Sequence, residues 1–353
     1  MSPTAPHSGI FRLMVKPNGD VVAPDLAAHL LPVLQRLGGE AAAVSSERIA
    51  CAVRVPKLTT LRQPACEIPA IELPFMPTDR LWALHTELLR SPGRQVLPSG
   101  ASLLDVKIEI GKRLLRSCVL CERRCEVNRL SNEHGFCGLG KAVVLSGYSM
   151  IYNEGPCVGQ PTFGVYVKGC SLRCEFCYRP DDRHGNGEMG VSPTELAAVL
   201  DDAARAGAES WHFLGGNPDQ SFVGILEALA YTETILPIVW NSAFFLTPET
   251  VALLKGVVDI WLPDLKFGSD ACAARIAQAD GYCDVLHRNL LALANEKFVV
   301  VRHMAYPGHE QCCKAMVEDW LRRHLSNAQI HHLRYFSGSF GQHSQRTPSR
   351  KEC

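Results

Sequence analysis

The sequence has no excess of charge of either sign: Lys plus Arg and Asp plus Glu each number 36. That balance leaves no overall electrostatic footprint for nucleic acid or an anionic membrane surface. No apolar run is long enough to span a bilayer, and the opening MSPTAPHSGIFRLMVKPNGD lacks the basic start and apolar stretch of a signal peptide. Neither nucleic acid nor a membrane is expected as a partner, and a cytoplasmic location is expected. Without export, the 15 cysteines are poorly explained by disulfides and better explained, in part, by metal ligation. At 353 residues with 46% hydrophobic content, the chain has material for one large α/β domain and a smaller companion.

Residues 1–100 mix short apolar runs with prolines and one helical stretch, Pro24 to Leu37, and carry no catalytic motif. They read as a small N-terminal region, a candidate for substrate recognition. Residues 101–157 follow as a cysteine-rich module, densest between Ser117 and Gly140, where Gly135 and Gly138 bracket Cys137. Across 158–337 strands and helices alternate. Strands are expected at 162–168, 210–215, 236–241, 258–266, 298–304 and 329–336, and helices at 193–206, 222–231, 248–255, 270–278, 284–295 and 312–324. Six β-then-α units predict an α/β fold, an incomplete (β/α)6 barrel, with active groups at the strand carboxyl ends. Residues 338–353 read as a polar tail.

The first of those strands runs into Gly169-Cys170-Ser171-Leu172-Arg173-Cys174-Glu175-Phe176-Cys177-Tyr178. Three thiolates at C-x3-C-x2-C spacing ligate three irons of a 4Fe-4S cubane and leave the fourth open. A zinc knuckle wants a fourth ligand, and none is local. Upstream, Cys118-x2-Cys121-x3-Cys125-x11-Cys137 supplies four thiolates and so no open position, which suits either structural zinc or a second iron–sulfur cluster acting as an electron relay.

With an aromatic, Phe176, before its last cysteine, the first motif resembles the signature of the radical S-adenosylmethionine (SAM) superfamily, and the resemblance covers about residues 157–325. More narrowly, CVLCERRCEVNR, GCSLRCEFCY, FLGGNP, IVWNS, WLPDLKFG and VRHMAYPGH resemble the uncharacterised relatives of pyruvate formate-lyase activating enzyme. The resemblance implies a 4Fe-4S cluster on Cys170, Cys174 and Cys177 that binds SAM at its open iron and cleaves it to a 5′-deoxyadenosyl radical. It also implies an electron donor such as flavodoxin or ferredoxin, and a protein, peptide or small-molecule substrate that loses a hydrogen. Activase action on a glycyl-radical enzyme and a non-enzymatic iron–sulfur scaffold are the alternatives.

Where the family has Gly-Gly-Glu-Pro, this chain has Gly215-Gly216-Asn217-Pro218, with an amide in place of the carboxylate. The glycines are expected to let backbone approach the SAM methionyl amine. Phe176, Tyr178, Asn217, Asn241 and Ser242 join them as cofactor-binding candidates. Asp264 and Lys266 at the fourth strand's end, and Arg302 on the fifth, are the catalytic candidates; the first two also fit a solvated ion pair capping the strand. Alternation forbids Arg302 and His303 from both pointing inwards, and His212 reads as structural.

Overall fold

The structure is a computed structural model and describes residues 14–15, 21–22, 53, 55–90, 98–151, 161–304, 306–326 and 328–333. The expected helix at 24–37, Cys157 and the polar tail lie outside the described residues. The chain divides into two compact units, Met1–Glu47 and Arg48–Cys353. In the first, β1 (Met14–Val15) pairs antiparallel with β2 (Val21–Val22).

The second unit is built on a sheet whose first strand, β3 (Leu145–Ile151), runs antiparallel to β4 (Thr162–Val167). From β4 the order is parallel and sequential through β5 (Ser210–Gly215), β6 (Ile238–Ser242) and β7 (Ile260–Pro263). A second parallel pair, β8 (Val300–Met304) with β9 (Gln329–Leu333), joins β7 through bridges Trp261–Val299 and Asp264–Arg302. Six parallel strands in chain order make the incomplete (β/α)6 barrel, with every expected strand present. β3 is an addition that covers the free edge of β4, where unpaired backbone groups would otherwise recruit another strand.

The helices between strands start where local chemistry dictates. Ser192 and Glu195 form a capping box ahead of Pro193–Arg205, Thr247 caps Pro248–Leu254, and Ser269 caps Asp270–Ala277. The expected helix at 312–324 is instead a π-helix, Glu310–Ala315, leading into Met316–His324. Trp211, Phe213, Trp240 and Trp261, each at most 1% exposed, share the sheet face that meets the helices, and Trp211 Nε1 donates to Leu200 O at 3.1 Å. Burying Phe213 alone contributes about 1.5–3 kcal/mol. The opposite face carries Val239, Ile260, Leu262 and Val300 as one apolar cluster.

Before the barrel, Thr78–Arg90 and Leu103–Arg116 pack against it. Lys107, fully buried, donates to the carbonyls of Leu253 (3.0 Å) and Lys255 (2.8 Å). It thereby caps the carboxyl end of Pro248–Leu254, where carbonyls lack helical partners. His85 Nε2 lies 2.8 Å from the same Nζ. Burial, then the Lys107 charge, pushes that imidazole down to about 3, so it meets the amine as a neutral acceptor.

Candidate active site

The loop after β4 holds Cys170, Cys174 and Cys177 as free thiols, the first two buried. Its path is fixed by backbone. Gly169 sits at φ +87°, and a Cβ there would lie 2.4 Å from Leu139 Cδ1; its N–H donates to Asp182 O. Further on, Arg173 N and Glu175 N donate to Ala277 O (3.0 Å) and Ile276 O (2.9 Å), so the loop rests on the end of the 270–277 helix. Burial pushes the Cys170 thiol up to about 11 and Cys174 up to about 12, with Cys177 raised too, while Lys266 pulls all three the other way. Buried thiols this unwilling to ionise alone, gathered beside an ammonium, fit a cationic metal cluster that takes them as thiolates.

Lys266 Nζ donates to Asp264 Oδ2 at 2.6 Å. Burial alone would lower this lysine, but Asp264 and the Cys174 and Cys170 sulfurs hold it above its ordinary value, so it stays charged at neutral pH. Asp264 Oδ1 lies 3.6 Å from Arg302 Nε, and Arg302 Nη1 donates to Asn241 Oδ1 at 3.0 Å. Asn241, Asp264, Lys266 and Arg302 thus form one network across the ends of β6, β7 and β8. Arg302 faces into it, whereas His303 turns the other way, 1% exposed with Nδ1 2.7 Å from Leu265 O. His212 is fully buried.

Protein groups surround the expected cofactor-binding residues Gly215, Gly216, Asn217 and Ser242. At Gly216 a Cβ would lie 2.4 Å from Asp182 O and 2.7 Å from Gly169 O; at Gly215, with φ +111°, it would lie 2.6 Å from Val167 N. Neighbouring protein backbone by itself leaves no room for a side chain at either glycine. Asn217 is 2% exposed, its Nδ2 donating to Asp219 (2.9 Å) and its Oδ1 accepting from Ala243 N (3.1 Å). Ser242 is likewise inside, donating to Asp219 at 2.6 Å and accepting from Phe244 N. Both side chains brace the loops. Phe176 packs its ring on Tyr306 (5.0 Å) and Phe267 (5.9 Å), while Tyr178 is 63% exposed at the mouth.

Asp219 is the member of the site that sequence reading missed. It accepts from Asn217, Ser242 and Trp240 Nε1 (2.8 Å), and only its place two residues after Asn217 hints at this. Burial raises it to about 6, against those hydrogen bonds. The folded state therefore holds this proton more tightly than the unfolded chain, so its contribution to stability is full below about pH 4 and is lost as pH rises through 6, about 3 kcal/mol in all. Comparing denaturation of wild type and Asp219→Asn should show the wild-type advantage shrinking by that order between pH 4 and pH 7; a difference independent of pH would refute the assignment.

The upstream cysteines also converge. Glu126 N donates to Cys118 O and Cys118 N to Val127 O, through a loop that puts Arg124 and Glu126 at positive φ on either side of Cys125. Such strained residues concentrate at functional sites. Cys118, Cys121, Cys125 and Cys137 are free and line one cavity together with Arg123, Phe136 and Ser171. Arg123 and Arg173 both stack on the Phe136 ring, at 4.0 and 3.8 Å, and Arg123 Nε donates to Ser171 O at 2.8 Å. The two cysteine loops are therefore in direct contact.

A parallel partial barrel with a three-thiol loop after its first strand defines a class of iron–sulfur radical enzyme fold. The model of the radical SAM superfamily matches residues 165–319. An uncharacterised protein of Methanocaldococcus jannaschii is 32% identical over 268 residues, 71% of this chain and 77% of the relative. The chain belongs to the radical SAM superfamily. Among solved structures, Streptococcus suis SuiB bound to its precursor peptide SuiA is 15% identical with a TM-score of 0.40, over 48% of this chain and 37% of that one. SuiB bound to S-adenosylmethionine gives 13% and 0.31, over 46% and 48%. The chain thus spans less than half the length of either solved chain.

Proposed function

We propose that the protein reductively cleaves SAM at a 4Fe-4S cluster held by Cys170, Cys174 and Cys177, and draws a hydrogen atom from an organic substrate. The observation that carries this reading is the three free thiols facing the Asn241–Arg302–Asp264–Lys266 network at one end of the barrel. When bound, the cluster supplies the electron that breaks the sulfonium carbon–sulfur bond of SAM. Lys266 offsets the thiolates' charge, and Asp264 orients both Lys266 and Arg302. The Arg302 guanidinium, held by Asn241, is placed to take a carboxylate. A scaffold that merely stored iron would have no use for this half-buried network. The electron donor is a small redox protein such as flavodoxin or ferredoxin, and the substrate is a protein, peptide or small molecule. Kinship with the activating enzyme of pyruvate formate-lyase rests on sequence motifs.

At the second site we favour an iron–sulfur relay over zinc, because the four thiols line one cavity in a loop that touches the radical loop, where a second cluster would serve to pass electrons.

The test is anaerobic reconstitution followed by SAM addition. The cluster's electron paramagnetic resonance spectrum should change, and dithionite should yield 5′-deoxyadenosine. Asp264→Asn should keep the iron and lose at least tenfold in product, since it frees Lys266 and Arg302 together. A wild-type protein that loads iron but yields no 5′-deoxyadenosine would return the scaffold reading.

A further inference from the structure

Cys312 and Cys313 have no part in the chemistry above, yet they belong to the tightest ligand group among the described residues. Cys272 Sγ, Cys312 Sγ, Cys313 Sγ and one nitrogen of His309 all lie within 4.8 Å of one another. Cys272 Sγ is 3.5 Å from Cys312 Sγ, and His309 Nδ1 is 3.4 Å from the first and 3.3 Å from the second. All are buried except Cys312, which is half-buried. Cys312 and Cys313 are free thiols, whereas Cys272 is disulfide-bonded.

From these residues we infer a third metal site: once the Cys272 disulfide is reduced, Cys272, His309, Cys312 and Cys313 bind a single zinc ion. Scale decides the nuclearity. Tetrahedral zinc with bonds of about 2.0–2.3 Å sets its ligand atoms roughly 3.3–3.8 Å apart, close to the distances here. A cubane spreads its cysteines over four separate irons and does not suit so tight a group. Three thiolates and an imidazole form a frequent structural zinc set. The backbone is shaped for this as well. Lys314 N donates to His309 O five residues back, at 3.2 Å, and this wide π-turn, a form frequent at functional sites, brings two adjacent cysteines and a histidine to one point.

The chemistry balances in two steps. A dithiol reductant delivers two electrons and two protons to the Cys272 disulfide, giving two thiols, and is itself oxidised to a disulfide. Zinc then displaces one proton from each of three thiols, and those protons go to solvent. Cys272 belongs to the 270–277 helix on which the radical loop rests, and His309 packs on Tyr306 (5.1 Å), which packs on Phe176 between Cys174 and Cys177. The ion would tie together the two elements beneath that loop, and oxidation of Cys272 would release it.

The experiment uses the full chain, iron-reconstituted, anaerobic and treated with dithiothreitol, then given zinc chloride and desalted. Wild type should hold one more zinc per chain than Cys312→Ser or His309→Ala at equal iron content. Without dithiothreitol, wild type should hold no more zinc than the variants. If a variant fails to fold, peptide-resolved alkylation of wild type answers alone: zinc should protect Cys272, Cys312 and Cys313, and EDTA should expose them. Equal zinc in wild type and folded variants, or alkylation of these three cysteines unaffected by zinc, would overturn the site.

Discussion

Alanine at any one of Cys170, Cys174 or Cys177 is expected to reduce 5′-deoxyadenosine formation to the level of a protein-free control. A cubane with only two cysteine ligands on this loop has a second iron open to solvent. The nearest cysteine-rich segment approaches the loop through Phe136 and Arg123, not through sulfur. Lys266 cannot take the ligand's place, because its ammonium is held charged by Asp264. Product is measured by chromatography after dithionite reduction, alongside Cys66→Ala, a remote free thiol whose loss should change nothing. A single variant that still turned over at the wild-type rate would remove that cysteine from the site.

The second large effect is on metal content. Cys170→Ala, Cys174→Ala and Cys177→Ala combined should leave about four irons per reconstituted chain, the remaining cubane being held by Cys118, Cys121, Cys125 and Cys137. Adding Cys121→Ala should remove them and loosen the fold, since metal binding at a formed site is coupled to folding. Burial pushes the Cys121 thiol up to about 12 and raises Cys137, so without a metal both stay protonated. Zinc in place of iron in the triple variant would reverse the relay reading, and a folded protein holding neither metal would dismiss the site.

Much of this was legible in the sequence. Alternating apolar runs located the strands and helices of the barrel, and a short cysteine spacing located the radical loop. What stayed hidden depends on contacts between distant segments. Asp219 looks like any loop carboxylate until the ends of β5 and β6 close around it. The reason for Gly216 is the carbonyl of Asp182, which only the folded turn supplies. The edge strand β3 was lost in a polar, half-exposed sequence, LSGYSMI, with little alternation to betray it. Cys272 and His309 are 37 residues apart, so no local motif marks their meeting.

The buried lysine that caps the 248–254 helix also constrains the order of events at the ribosome. Lys107 bonds to carbonyls 146 and 148 residues later, and Lys57 reaches Val258 O across 201 residues. Residues 55–116 emerge early, yet Lys57 and Lys107 cannot make these bonds until residues 253–258 have been made. Closing loops of that length is slow, so these bonds belong to the late steps of folding.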